Sequence, residues 1–367
     1  GVYVTCDSVP QGQGHKTVLA QDVADIFGLS FENVFVNGEL DTQKDAWSIA
    51  AGNYSSRFAG AVAGTTSLAA KKLKLRILKI ASTKLNCKAE NIIFENNFVI
   101  DKNNFDNKIS FNRLVGLAHW SPGELPENSE NGLRETVHWS PPQLAPPNNK
   151  DQINGSLAYG FVFDICGLEI NPKTGQTRVD KYITGHDAGN ILNPLLANGQ
   201  IYGAFAHGLG AALFEEFKYT DDGSFLAGTF ADYLLPSTYE VPTPSIIHIE
   251  TPSPFTPLGA KGLGEGNCMS TPVAIANAAC DALKIDNVTL PLTHSKVHSY
   301  ITSNLKEQPR SKLNSNKTFI KPNDKNNIIT GQGNNLLYKK PNQIWDFLLN
   351  PDNLSKILPV TEKILLT

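Results

Sequence analysis

The 367-residue chain has few cysteines, and the five it has (Cys6, Cys87, Cys166, Cys268 and Cys280) are scattered with no CxxC pair. That spacing argues against a zinc ribbon or an iron–sulfur centre held by this chain. It suits a reducing cytoplasm. No apolar stretch is long enough to span a bilayer, and the N-terminus lacks the charged-then-apolar order of a signal peptide. Basic excess is missing too. The formal net charge of -3 and the pI near 6.3 leave no electrostatic footprint for nucleic acid or an anionic membrane. The densest basic run, Lys71, Lys72, Lys74 and Arg76, ends a helical stretch and reads as a solvated face.

What is present is an ordinary globular composition, 41% apolar, on a length that suits two or three domains. The chain opens at Gly1 on a strand-like run, Val2 to Thr5, without an initiator Met, and is expected to be a fragment. Val18 to Phe27 has helical spacing and closes on Gly28, and Glu32 to Val36 reads as a strand. A second helix is predicted from Arg57 into Leu78, and a strand over Ile92 to Val99. From Leu114 to Lys150 the composition shifts to Pro, Asn and Glu, the signature of a long connection. Tyr159 to Ile170 and Gln176 to Thr184 flank Asn171-Pro172-Lys173-Thr174-Gly175, a hairpin signal. A helix is expected over Leu195 to Glu216, a strand over Ile246 to Glu250, and a final helix over Thr271 to Lys284.

The segment with the most chemical content is Gly259-Ala260-Lys261-Gly262-Leu263-Gly264-Glu265-Gly266, one carboxylate among four glycines. Glycine permits positive φ and close backbone approach, and leaves no bulk around Glu265. A carboxylate in so narrow a site is expected to be partly desolvated, with its pKa moved up as general-base work requires. The bland alternative is a surface turn with a solvated Glu.

Three further blocks accompany this loop. They are Gln11-Gly12-Gln13-Gly14-His15, His186-Asp187-Ala188-Gly189-Asn190-Ile191-Leu192-Asn193-Pro194, and Gly199-Gln200-Ile201-Tyr202-Gly203. In this order, ahead of the Thr271 to Leu283 helix, they resemble the molybdenum-binding large subunit of the xanthine oxidase family, in its carbon monoxide and aldehyde dehydrogenase branch. The resemblance covers Gly1 to Ile301. It implies an α+β molybdopterin-binding fold with two mixed α/β subdomains, 1–113 and 151–302, joined by a connecting segment over 114–150.

The resemblance also implies roles. Glu265 is the base. Gln13, between Gly12 and Gly14, faces an oxygen on the metal, and Gln200 contacts the pterin. Gly262 and Gly264 line the cofactor, and no protein side chain ligates molybdenum, which the pterin dithiolene holds. The cofactor is molybdopterin, extended to a cytosine dinucleotide in one form. FAD and a 2Fe-2S cluster are expected on partners, an FAD-binding medium subunit and an iron–sulfur small subunit. Asn53-Tyr54-Ser55-Ser56-Arg57 corresponds to a Gly-Ser-Arg-Ser type segment that holds the pterin and phosphate end. Ser55 stands there where Gly is usual and Phe58 where a second Ser is usual, so only Ser56 and Arg57 carry the role over. Gly38-Glu39-Leu40-Asp41-Thr42 departs from a more usual Gly-Asp-Thr. His186 and Asp187 are neighbours on a strand, so their side chains point to opposite faces and form no metal or triad pair.

The implied activity is a molybdenum hydroxylase, oxidising an aldehyde or similar small substrate with water as oxygen donor. Alternatives are a carbon monoxide dehydrogenase large subunit, or a non-catalytic truncated paralogue that handles cofactor or assists assembly. Past Ile301, Ser303 to Asn327 is polar and reads as a linker. Residues 328–367, with Trp345, Phe347, Leu348 and Leu349 close together, resemble the opening of a START-like helix-grip domain of carbon monoxide dehydrogenase accessory proteins.

Overall fold

The computed structural model describes residues 1–43, 52–127, 129, 132–141, 143–156, 158–307, 329–331 and 364–365. The described chain forms two compact units. The first comprises Gly1–Tyr159, Gly189–Leu196 and Pro252–Gly262; the second comprises Gly160–Ala188, Ala197–Thr251 and Leu263–Thr367.

In the first unit, β1 (Val2–Thr5) and β2 (Val34–Asn37) pair in parallel, joined through α1 (His15–Phe27). Helix α1 stops where expected. Gly28 takes φ 58°, its N–H reaches the Ala24 and Asp25 carbonyls, and a Cβ there would sit 2.1 Å from the Phe94 carbonyl oxygen. A π-turn over Phe58–Val62 leads into α2 (Ala63–Leu85), which begins later and runs further than the Arg57 to Leu78 helix expected from sequence.

The single strand expected over Ile92 to Val99 is corrected to a hairpin, β3 (Ile92–Glu95) and β4 (Phe98–Asp101), followed by β5 (Asn104–Ser110). Asn96 and Asn97 turn the chain at φ 52° and 66°, a conformation that Asn tolerates better than other residues with a Cβ. Helix α3 (Phe111–Trp120) then takes the first residues of the expected connection. Leu19, Phe27, Ile77, Phe111 and Leu114 are fully enclosed in this unit's core.

The second unit is built on a five-stranded sheet in the order β10-β8-β7-β6-β9. Strands β6 (Phe161–Ile170) and β7 (Thr177–Asp187) form the expected antiparallel pair, closed by the Asn171 turn with Gly175 at φ 74°. Strand β8 (Ser245–Ile249) runs parallel to β7, and β9 (Ile329–Gly331) and β10 (Ile364–Leu365) add to β6 and β8. Helix α4 (Pro194–Leu213) carries Pro at its first position, with Asn193 Oδ1 accepting from the Leu196 N–H at 3.0 Å.

Helix α5 (Gly266–Leu283) begins five residues before the expected Thr271, and Pro272 lies inside it. Helix α6 (His294–Glu307) runs through the first residues expected as linker. Leu168, Ile170, Phe205, Leu209, Ile275 and Leu292 form this unit's core. The rest of the expected linker, 308–327, and the Trp345 to Leu349 cluster lie outside the described residues.

Candidate functional site

Gln13, Gly12, Gly14, Ser56, Arg57 and Gly262 belong to the first unit; Gln200, Gly264 and Glu265 belong to the second. Along the sequence, the glycine loop leaves the first unit after Gly262 and enters the second at Leu263.

In the first unit the glutamine–glycine turn is shaped by its backbone. Gly12 takes φ 97° and Gly14 φ 78°, and Gly14 caps α1 in the left-handed region. A Cβ on Gly14 would lie 2.6 Å from Leu196 Cδ1. Gln13 Oε1 accepts from the Gln11 N–H at 2.7 Å. Ser8 Oγ donates to Asn53 Oδ1 at 2.6 Å, and Asn53 Nδ2 donates to the Val9 carbonyl and to Gln11 Oε1 at 3.4 Å. Buried Asn53 thus ties the Gln13 turn to the Ser55–Arg57 segment. His15 is fully buried and stacks on Phe58 with centroids 3.7 Å apart. Burial lowers its pKa, an effect the Ser8 backbone opposes.

Ser55 and Ser56 both take positive φ, 57° and 53°, and Arg57 returns to the right-handed region with its guanidinium 4.7 Å from the Tyr54 ring centroid. A turn mixing the two hands directs successive N–H groups into a concavity suited to anions. Gly262 closes on this segment so tightly that a Cβ would lie 2.0 Å from Ser56 Cβ and 2.3 Å from its Oγ. Ser55, Ser56, Arg57, Lys261 and Gly262 are among the residues that line a cavity of about 1000 Å³ within this unit.

In the second unit, Gln200 Oε1 lies 3.5 Å from where a Gly264 Cβ would stand, so the glutamine of α4 is beside the residue preceding Glu265. Glu265 is the N-cap of α5, with φ -96° and ψ 0°. Its expected desolvation is corrected: the residue is exposed, because it stands at the outer end of the helix while its two successors turn inward. Burial, with the Glu265 charge adding to it, pushes the Cys268 thiol up, so that sulfur is a poor nucleophile. Cys166 is pushed up to about 12 by burial and then by Asp164.

Sequence reasoning missed the polar layer under α5. Tyr182, Thr184 and His186 alternate along one face of β7, with Asp164 paired opposite Thr184 on β6. Above them, Asn267 and Thr271 are one helical turn apart. Tyr182 Oη donates to Thr271 Oγ1 at 3.0 Å. Asn267 Nδ2 donates to Asp164 at 3.1 and 3.3 Å and to Thr184 Oγ1 at 3.0 Å, and Asn267 Oδ1 lies 2.8 Å from His186 Nε2. A carboxylate only accepts, so the amide nitrogen faces Asp164, the amide oxygen faces His186, and His186 carries its proton on Nε2.

Burial lowers the His186 pKa, which keeps the ring neutral at neutral pH. The sequence carries the signal in outline, as polar residues at period two on β7 and period four on α5. What it does not carry is their pairing, 81 residues apart for His186 and Asn267. Asp187 points elsewhere, accepting from the Thr251 N–H at 3.2 Å and from its hydroxyl. His248 reaches Asn198 at 2.7 Å. Among the described residues no group of three or more His, Cys, Asp and Glu side chains is arranged to hold a metal ion.

The profile of the Molybdopterin cofactor-binding domain matches residues 1–242. The chain belongs to the molybdopterin cofactor-binding domain of xanthine oxidase family large subunits. It is 33% identical over 284 residues to the nicotine 6-hydroxylase large subunit of Paenarthrobacter nicotinovorans, covering 77% of this chain and 33% of that protein. To the carbon monoxide dehydrogenase large chain of Hydrogenophaga pseudoflava it is 30% identical, covering 78% and 34%. Among solved structures, quinoline 2-oxidoreductase from Pseudomonas putida 86 superposes with a TM-score of 0.69 at 29% identity, over 84% of this chain and 37% of that one. The chain therefore spans about a third of the length of the curated relatives it matches. Among the described residues no helix is long and apolar enough to cross a membrane.

Proposed function

We propose that this chain is the C-terminal part of a molybdenum hydroxylase large subunit that oxidises an aldehyde or similar small substrate, with water as oxygen donor. Its electrons pass to partner subunits carrying a 2Fe-2S cluster and FAD. The named relatives act on nicotine, carbon monoxide, xanthine and aldehydes, and a carboxylate base serves oxidation with water as oxygen donor by taking a proton from the attacking oxygen.

The residues present fit a pterin cofactor bearing a phosphate. The cradle that a Gly262 Cβ would fill, the left-handed serines and Arg57 suit an anionic end, and the uncharged amides of Gln13 and Gln200 suit a polar, neutral pterin. Bound there, the group supplies the two-electron oxidant. Gln13, Ser56, Arg57 and Gln200 hold and orient it; Glu265 takes the proton from the oxygen that is transferred.

The observation that carries this reading is the placement of Glu265 at the start of α5, one residue after the glycine that Gln200 borders. Replacement of Glu265 by Gln in the assembled enzyme tests it. Turnover should fall about 10²–10⁴-fold with molybdenum content unchanged. Near-normal turnover at full cofactor loading would make Glu265 an ordinary loop residue.

The exposure of Glu265 favours a second reading, a non-catalytic paralogue that handles cofactor or assists assembly. A purified complex with no molybdenum and no aldehyde-dependent dye reduction would decide for it.

A further inference from the structure

We propose that Asn267, held by Asp164, Thr184 and His186, is the positioning residue for Glu265: it sets the register of α5 on the β6–β7 sheet and so fixes where the carboxylate stands. The inference rests on the reading of Glu265 as the base.

The argument begins with two repeats that match. Alternate residues on a strand recur about every 6.6–6.8 Å, and residues four apart on a helix recur about every 6 Å. Tyr182 and Thr184 on β7 therefore meet Thr271 and Asn267 on α5 rung by rung, with His186 reaching Asn267 from the next position. Apolar packing alone does not define such a register sharply, since neighbouring registers bury similar area. Hydrogen bonds do, because a slipped helix leaves Asp164, Thr184 and His186 facing nothing that can pair with them. Asn267 is fully buried, so water cannot substitute.

Slip by one residue moves a helix about 1.5 Å along its axis and turns it by about 100°. Glu265 is only two residues from Asn267. Between them, Gly266 is wedged against the sheet: a Cβ there would come within 2.6 Å of Val162 Cγ2 and 3.2 Å of His186 Cε1. The first turn of α5 is thus clamped from below at two consecutive residues, leaving the side chain of Glu265 outside the clamp and its backbone within it. An exposed carboxylate has no packing of its own to orient it, and the clamp supplies that constraint.

The test compares Asn267→Ala, His186→Leu, His186→Gln and Glu265→Gln in the assembled holoenzyme. It reads kcat and KM per bound molybdenum, cofactor content, and hydrogen exchange of the peptide spanning the start of α5. Misplacement of a base by about an ångström costs up to about a hundredfold. Asn267→Ala should lower kcat about ten- to a hundredfold with KM changed less than about threefold and cofactor retained, while first-turn amides exchange at least about tenfold faster. His186→Leu should behave alike. His186→Gln, which restores an N–H donor near the position of Nε2, should recover most of the loss.

If Asn267→Ala fails to fold, the two His186 variants decide by the same readouts. Unchanged kcat per molybdenum in Asn267→Ala or His186→Leu, with Glu265→Gln inactive, overturns the proposal while leaving the base in place. Full activity of Glu265→Gln overturns the reading of the base itself; unchanged exchange at the start of α5 then separately removes Asn267 as its anchor.

Discussion

The two units place their own candidate residues by opposite means. In the first, the chain path does the shaping: Gly12, Gly14, Ser55 and Ser56 all take positive φ, and Gly262 lies where no side chain fits. In the second, side chains do it, through the layer of Tyr182, Thr184, His186, Asp164, Asn267 and Thr271. The contrast suits what each is proposed to hold. A large polar cofactor needs backbone donors brought close, and one carboxylate needs a rigid helix end. A backbone-built site is broken by adding one carbon, and a network-built one by removing one polar atom.

The largest effect expected on cofactor content is from Gly262→Ala. Its Cβ would lie 2.0 Å from that of Ser56, so one segment must move, at a cost of about 1–3 kcal/mol. Molybdenum and pterin content of the purified complex should fall sharply. Full occupancy would show that the first unit's chain path is not what holds the cofactor.

Gln200→Ala should act more gently, since it deletes one neutral amide and adds no clash. Gln200 is half-buried, and a neutral hydrogen bond contributes about 0.5–1.5 kcal/mol net. Cofactor content should drop with activity falling in proportion, and full content would remove Gln200 from the site.

Acid should separate the two units. Burial lowers the pKa of His15 in the first and of both His186 and His248 in the second. The unfolded chain takes up these protons near the ordinary histidine value of about 6.5, and the folded chain only at lower pH. Over that interval the unfolded state binds more protons. The stability these residues contribute is present above about pH 6.5 and is lost as pH falls below it. Hydrogen exchange compared at about pH 7.5 and pH 5.5, corrected for intrinsic rates, should show the second unit loosening more. An equal response would erase this part of the contrast.

The smallest change expected is a gain. Ser55 occupies a left-handed position where glycine carries no Cβ penalty. Ser55→Gly relieves about 1–2 kcal/mol of backbone strain and gives back about 0.5–1 in chain entropy. A melting temperature raised slightly or unchanged fits; a clear fall would mean the serine hydroxyl matters more than its backbone.

Much of this was legible in the residues where local chemistry settles local structure. Gly28 ends α1, Asn171 to Gly175 turns β6 into β7, and Asn193-Pro194 opens α4. The departure noticed at Ser55 also has a geometric counterpart in its positive φ. Reading failed where a distant contact decides. The helix expected from Thr271 begins instead at Gly266, where Asn267 finds three partners on the sheet. The expected burial of Glu265 failed for a related reason: small neighbours describe room around a side chain, and not what fills it.

The first unit is assembled from three pieces of chain, and its last piece, Pro252–Gly262, follows most of the second unit's strands in sequence. Gly189 and Gly259 seal that arrangement, the Gly259 carbonyl accepting from the Asn190 and Ser253 N–H groups at 3.2 and 2.9 Å. During synthesis β1, α1 and α2 emerge ahead of the rest of this unit and wait for a closing segment about 190 residues after the start of α2. The cradle around Ser56 therefore comes into being late, when Gly262 leaves the ribosome. A nascent chain short of that point has its Ser56 cradle still unclosed, so that end of the proposed site takes shape only once Gly262 is out.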